Sequence, residues 1–131
     1  MINALSIDLE DYYHPELVRK HIATIEPRIT ESAGKILSLL NKYNVKATFF
    51  ILTDVAKKNP ALIKRIHAEG HEIASHGSTH TPLWDLTPEA FDQELKDSRY
   101  TITQILGPEV DMKGFRAPTF SLDNKTKFAL P

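Results

Sequence analysis

The stretch Lys46-Ala47-Thr48-Phe49-Phe50-Ile51-Leu52 is the most informative part of the chain for its fold. Its apolar residues follow one another with almost no interruption, which predicts a strand covered on both faces, as strands of parallel sheets are. A parallel neighbour is reached only through a crossover connection, which is usually a helix. We therefore expect an α/β fold in which strands and helices alternate.

Helical patterns lie on both sides of this strand, as that fold requires. Upstream, apolar residues recur at helical spacing from about 30 to 43. Downstream, Thr53 or Asp54 can cap a helix whose second part begins at Pro60 and which ends at Gly70. These two segments supply the crossovers to the strands before and after.

Further strands and helices continue the alternation. The longest helix is expected to begin after Thr87 and to end before Gly107. Another helix is expected to start near 121–124. The remaining predicted strands are 4–9, 71–75 and 113–116.

Repeated strand and helix units predict parallel pairing with right-handed crossovers, in a barrel or in an open doubly wound sheet. Four strands are too few to close a barrel. The pattern also stops within an element at Leu130-Pro131. We therefore expect residues 1–131 to be the first part of one larger domain.

Composition excludes several classes of function. The net charge is −1 and the charges are interspersed, which argues against nucleic acid or an anionic membrane as partner. The absence of cysteine excludes disulfides and thiolate metal sites. The sequence shows neither a signal peptide nor a membrane span, so we expect a cytoplasmic protein. The oligomeric state is left open.

The segment His76-Gly77-Ser78-Thr79-His80 carries the clearest chemical signal. Two imidazoles four residues apart can close on one divalent metal ion. The segment directly follows the predicted strand 71–75, and sites in α/β folds gather at the ends of strands. The sequence therefore predicts a metal site at the edge of the sheet.

Two other polar clusters follow predicted strands and could line the same pocket. They are Asp8-Leu9-Glu10-Asp11 and Arg116-Ala117-Pro118-Thr119-Phe120. One carboxylate and two imidazoles leave open positions on a zinc-like ion, which suits hydrolysis. A second carboxylate would serve as general base, and an arginine would keep it ionised. Asp8 and Arg116 suit these two roles.

With these motifs in this order, the chain resembles the N-terminal half of a NodB-homology polysaccharide deacetylase of carbohydrate esterase family 4. The family's acidic first motif resembles Ser6-Ile7-Asp8-Leu9-Glu10-Asp11, and its His-X-X-X-His motif is matched by His76 and His80. The resemblance implies that Asp8 is the catalytic base and that both histidines are metal ligands.

The carboxylate ligand has two candidates in this sequence, Glu10 and Asp11. On an extended strand, a residue two positions after Asp8 returns to the same face, which selects Glu10. A turn just after Leu9 would select Asp11 instead. Both remain candidates at this point.

The family's third motif, Arg-X-Pro-aromatic, resembles Arg116-Ala117-Pro118-Thr119-Phe120, with Thr119 where an aromatic residue is usual. The resemblance implies that Arg116 pairs with the catalytic base and that Pro118, Thr119 and Phe120 contribute to substrate binding. The backbone N–H of Thr119 is a candidate oxyanion donor, because a main-chain group does not depend on side-chain identity.

The resemblance implies a partial, distorted (β/α) TIM-like barrel that ends before the family's C-terminal motifs. It further implies a zinc-dependent or similar enzyme that removes N-acetyl, or less often O-acetyl, groups from a bacterial polysaccharide or peptidoglycan-type glycan. The opening residues resemble a subfamily associated with exopolysaccharide loci.

Since the family's catalytic acid would lie beyond residue 131, the chain alone is expected to be inactive. The alternatives are an allantoinase-like cyclic amidase and a non-catalytic carbohydrate-binding module.

Overall fold

The computed structural model describes residues 3–130, which alternate between strands and helices. The regular elements, in chain order, are β1 (Ser6–Leu9), α1 (Glu16–Arg19), α2 (Ile29–Lys42), β2 (Thr48–Ile51), α3 (Thr53–Lys58), α4 (Pro60–Ala68), β3 (Glu72–Ser75) and α5 (Pro88–Leu106). Three 3-10 turns lie at Leu83–Asp85, Pro118–Phe120 and Lys127–Ala129. Among the residues described, no helix is long and apolar enough to cross a membrane.

The strands form one parallel sheet in the order β1-β2-β3, as the sequence predicts. Leu9 lies opposite Ile51, which in turn lies opposite Ser75. Because the strands are parallel and in step, all three end at the same edge of the sheet. Whatever follows β1 and β3 is therefore delivered to that edge.

The central strand β2 is fully buried on one face only. Phe49 and Ile51 are almost inaccessible to solvent, and they share a core with Leu37 of α2 and Ile63 of α4. On the opposite face, Phe50 is only half-buried. The predicted cover on both faces is therefore incomplete, and the half-open face is the one against which Arg116 lies.

The fourth strand predicted at 113–116 is reduced in the structure to a single bridging residue. A single residue, Phe115, pairs with Ser75 in a parallel bridge. Ser75 donates its N–H to the Gly114 carbonyl at 2.8 Å, and Arg116 donates its N–H to the Ser75 carbonyl at 3.0 Å. A Cβ at Gly114 would lie only 3.0 Å from Cβ of Ala74, so glycine permits this close approach. The bridge brings Arg116 to the ends of the three strands.

The predicted helix after Ser121 is also wrong among the residues described. The Asp123 carboxylate accepts the backbone N–H groups of Lys125, at 2.7 Å, and Thr126, at 3.0 Å. Such a local side-chain contact competes with helical hydrogen bonding and stabilises a turn. The chain continues only into the short turn Lys127–Ala129.

The buried face of α2 provides a direct test of this core. Leu37 is 0% exposed, whereas Leu39 on the same helix is 55% exposed. We predict that Leu37→Ala lowers the free energy of unfolding by about 2–5 kcal/mol, because it removes buried methyl groups and leaves a cavity. Leu39→Ala should change it by less than about 0.5 kcal/mol. Urea denaturation of the complete protein measures both, and equal losses would contradict this packing.

Candidate metal centre

Three side chains converge at the shared edge of the sheet: Glu10, His76 and His80. Glu10 directly follows β1 and His76 directly follows β3, so the strand register places them together. Each of the three side chains offers one ligand atom, and these atoms all lie within 4.8 Å of one another. Both histidines are buried, with ring centroids 5.2 Å apart.

The loop from His76 to His80 owes its shape to backbone that glycine favours. Gly77 has a φ of 81°, and a Cβ there would lie 2.8 Å from Oε2 of Glu94. That carboxylate, from α5, accepts the N–H of Ser78 at 3.0 Å. Burial raises the pKa of Glu94, while the N–H from Ser78 lowers it in part. The loop is thus held against α5, and His80 is turned back towards His76 with a φ of 63°.

In both histidines the hydrogen bond is made by Nδ1, which leaves Nε2 as the other ring nitrogen. Nδ1 of His76 lies 2.8 Å from the carbonyl oxygen of Arg116, and Nδ1 of His80 lies 3.2 Å from Oε2 of Glu16. Since these oxygens only accept, each Nδ1 is placed to donate a proton to them, which leaves Nε2 of each ring as the nitrogen that can face a metal ion. Burial also lowers the pKa of His76, which keeps the ring neutral near pH 7.

The Glu10 carboxylate has one buried oxygen that lacks a hydrogen-bond donor among the residues described, as expected for a ligand of a cation. Its Oε2 atom is buried and has no hydrogen-bond partner of acceptable geometry among the residues described, although Nε2 of His80 lies only 3.1 Å away. Burial raises the pKa of Glu10, since the charged form lacks solvation. A divalent ion would compensate that charge, and two nitrogens with one carboxylate oxygen form a donor set that suits zinc.

Asp8 lies beside this cluster in an ion pair with Arg116. The Arg116 Nη1 atom donates to Oδ1 of Asp8 at 2.5 Å, and its Nη2 donates to Oγ of Ser6 at 2.6 Å. The guanidinium also lies 4.0 Å from the centre of the Phe50 ring. These contacts fix the arginine, which in turn orients the Asp8 carboxylate towards the cleft.

Asp11, the alternative carboxylate ligand, is absent from the cluster formed by the described residues. Its Oδ2 atom accepts the N–H groups of Arg28, at 2.7 Å, and Ile29, at 3.0 Å, and its Oδ1 atom accepts the N–H of Tyr12. Asp11 therefore satisfies backbone donors at the start of α2. The extended course of β1 leaves Glu10 as the carboxylate that faces the two histidines.

Ala117, Thr119 and Phe120 form part of the wall of a cleft of about 310 Å³ at this site, whereas Pro118, which was expected to bind substrate, is not among the residues that line it. Pro118 is buried, whereas Phe120 is 93% exposed. Thr119 and Phe120 both have left-handed backbone, with φ of 55° and 52°. The residues that line the cleft are Asp8, Glu10, Pro15, Leu17, His76, His80, Arg116, Ala117, Thr119 and Phe120.

Sequence reasoning missed the contribution of α1, and of Glu16 in particular. This helix has four residues and no buried side chain, so it lacks the apolar periodicity by which helices are recognised. Burial raises the pKa of Glu16, but hydrogen bonds from Thr119 and His80 outweigh that effect and lower it. Among the described residues, contacts across long sequence separations are the only sign that Glu16 belongs to the site.

A family model and individual relatives both match this chain to polysaccharide deacetylases. The family model described as polysaccharide deacetylase matches residues 18–130. A chitooligosaccharide deacetylase from Rhizobium leguminosarum bv. trifolii is 37% identical over 83 residues, which are 63% of this chain and 38% of the relative. The peptidoglycan-N-acetylglucosamine deacetylase PgdA from Listeria monocytogenes is 40% identical over 70 residues, which are 53% of this chain and 15% of the relative. The chain thus spans well under half the length of these relatives.

Solved structures share the fold. The peptidoglycan deacetylase PdaC from Bacillus subtilis aligns with a TM-score of 0.72 at 22% identity, covering 97% of this chain and 54% of that one. A carbohydrate esterase family 4 pseudoenzyme from Bacillus anthracis aligns with a TM-score of 0.72 at 24% identity, covering 96% of this chain and 38% of that one. These likenesses confirm the α/β fold expected as part of a barrel, and the pseudoenzyme shows that the fold alone does not decide activity.

The different surroundings of the two neighbouring acids lead to opposite predictions. Glu10→Ala should weaken Zn²⁺ binding by more than about 100-fold, beyond the usual effect of outer-shell changes, without lowering the free energy of unfolding of the metal-free protein. Asp11→Ala should keep tight Zn²⁺ binding and lose about 1.5–3 kcal/mol of stability, because buried backbone donors lose a charged acceptor. Metal titration and urea denaturation of the complete protein measure the two effects. The reverse pattern would show that Asp11 is the ligand.

Proposed function

The chain belongs to the polysaccharide deacetylase family, and on that premise we propose that the complete protein hydrolyses the N-acetyl groups of a bacterial glycan. The observation that carries the proposal is the convergence of Glu10, His76 and His80 beside the Asp8–Arg116 pair. A metal-ligand set and a separately held carboxylate in one cleft are the parts that amide hydrolysis requires.

We propose a divalent metal cofactor, and zinc in particular, held by Glu10 Oε2 and by Nε2 of His76 and His80. Three ligands of this kind are typical of catalytic zinc sites, which keep a position open. When bound, such an ion supplies Lewis acidity, which polarises a carbonyl and lowers the pKa of water. The hydrogen bonds at both Nδ1 atoms orient the imidazoles for this task.

Asp8 is proposed as the general base that takes a proton from the attacking water. Its ion pair with Arg116, at 2.5 Å, holds the carboxylate in place beside the ligand cluster. The arginine donates from two different nitrogens to Asp8 and Ser6, so its own position is fixed. The backbone N–H of Thr119, in the adjoining wall of the cleft, is proposed to donate to the developing oxyanion.

The proposed substrate is a glycan that contains N-acetylglucosamine. One bacterial relative is a peptidoglycan-N-acetylglucosamine deacetylase and the other is a chitooligosaccharide deacetylase, which supports an acetylated amino sugar as the substrate. The cleft is open and is flanked by exposed apolar side chains, Leu17 at 72% and Phe120 at 93% exposure. Apolar side chains beside a polar floor suit a pyranose ring, which has both apolar faces and polar edges.

Removing a proposed ligand tests the metal and the activity together. In the complete protein, His76→Ala should weaken Zn²⁺ binding by more than about 100-fold and abolish deacetylation of N-acetylglucosamine oligomers, because a ligand is lost. The exposed histidine of α4 supplies a matched control, since His67→Ala should change neither. Zinc titration and release of acetate are the measurements. Full activity of His76→Ala would contradict the proposal, and a parent that binds glycan without releasing acetate would favour a binding module.

The role of Asp8 is tested separately from metal binding. Asp8→Asn keeps the shape of the side chain but removes the base, so kcat should fall about 10²–10⁴-fold. Zinc affinity should stay close to that of the parent protein, because Asp8 lies outside the ligand cluster. A kcat within threefold of the parent would exclude Asp8 as the base.

A further inference from the structure

Glu16 makes two hydrogen bonds to residues that line the cleft, His80 and Thr119. Its Oε2 atom lies 3.2 Å from Nδ1 of His80, and its Oε1 atom accepts the hydroxyl of Thr119 at 2.7 Å. The partners are 64 and 103 residues away in the sequence. One carboxylate therefore links three distant parts of the chain: the short helix α1, the loop 76–80 (the histidine loop) and the turn Pro118–Phe120 (the Thr119 segment).

Both partners of Glu16 have unfavourable backbone conformations. His80 has a φ of 63° and Thr119 a φ of 55°, in the left-handed region that non-glycine residues seldom occupy. Such conformations persist only where surrounding contacts hold them. The two oxygens of Glu16 provide one such contact for each residue, which relates the carboxylate to two of the non-glycine residues with left-handed backbone at the site.

The helix that carries Glu16 is itself positioned by polar contacts. No side chain of α1 is buried, so apolar packing contributes little to its placement. Instead, Nη2 of Arg19 donates to the Thr79 carbonyl at 2.6 Å and to the His14 carbonyl at 2.7 Å. Two side chains of one short helix therefore hold the histidine loop, one at Thr79 and the other at His80.

We propose that Glu16 is a positioning residue that fixes the tautomer and orientation of His80 and ties this ligand to the Thr119 segment. The inference rests on the proposed function only in taking His80 as a metal ligand. An Nδ1–H donated to a carboxylate leaves Nε2 free for the metal and makes the imidazole a stronger ligand. Glu16 touches no reacting atom in this role and acts through His80 and Thr119.

The test measures the affinity of the complete protein for Zn²⁺ by competition with a chromophoric chelator at pH 7, a readout independent of deacetylation. Glu16→Ala should raise the Kd by about 10–100-fold, because the His80 ring loses its acceptor. Glu16→Gln retains a carbonyl acceptor, so it should recover most of the affinity. The matched control is Glu26→Ala, which removes an exposed carboxylate and should leave the Kd unchanged.

The outcomes separate this inference from the proposed function. If Glu16→Ala is folded by circular dichroism and binds Zn²⁺ within twofold of the Glu26→Ala control, the positioning role is wrong. If Glu16→Ala does not fold, Glu16→Leu, which also lacks an acceptor, replaces it in the same comparison. A Gln variant as weak as the Ala variant would likewise overturn the role. Failure of the proposed function would appear instead as unchanged Zn²⁺ binding in His76→Ala.

Discussion

The parallel register of three short strands is the constraint on which the site depends. Leu9, Ile51 and Ser75 lie in line across the sheet, so the residues that follow β1 and β3 emerge together at one edge. A shift of one residue in β1 would move Glu10 to the other face, because side chains alternate along a strand. Leu9 of β1 belongs to the buried core and resists such a shift, because its core contacts would be lost. Core packing and site geometry are therefore linked by the same pairing.

Around that edge, backbone atoms do much of the positioning. The Arg116 carbonyl oxygen holds the ring of His76, while the Arg116 side chain holds the Asp8 carboxylate. One residue thus contacts both the proposed ligand set and the proposed base. The single bridge between Phe115 and Ser75 brings it there, with Gly114 permitting the approach. A longer fourth strand is unnecessary for this geometry, because one residue in register is enough to deliver the arginine.

The sequence predicted the parallel sheet and the main helices from periodicity, and it predicted that polar side chains at the strand ends would share one cleft. Pro118, expected to bind substrate, is instead buried and is not among the residues that line that cleft. The sequence left Glu10 and Asp11 open, since the choice depends on where the chain turns after β1. The structure places Asp11 on the backbone of Arg28 and Ile29, a contact across 17 and 18 residues that no local pattern reveals. Glu16 was missed for a similar reason, because its helix has no buried face. The helix expected after Ser121 failed because the Asp123 side chain captures the backbone donors.

At this edge of the sheet we propose a metal centre whose ligands are the Glu10 carboxylate and the Nε2 atoms of His76 and His80. The most direct measurement is anomalous diffraction at the zinc absorption edge from crystals of the complete protein grown with Zn²⁺. We expect one strong peak within bonding distance, about 2.0–2.2 Å, of a Glu10 carboxylate oxygen and of Nε2 in both His76 and His80. A peak bonded to Asp11, coordination through Nδ1 of either histidine, or full zinc occupancy elsewhere with this cluster empty would contradict it.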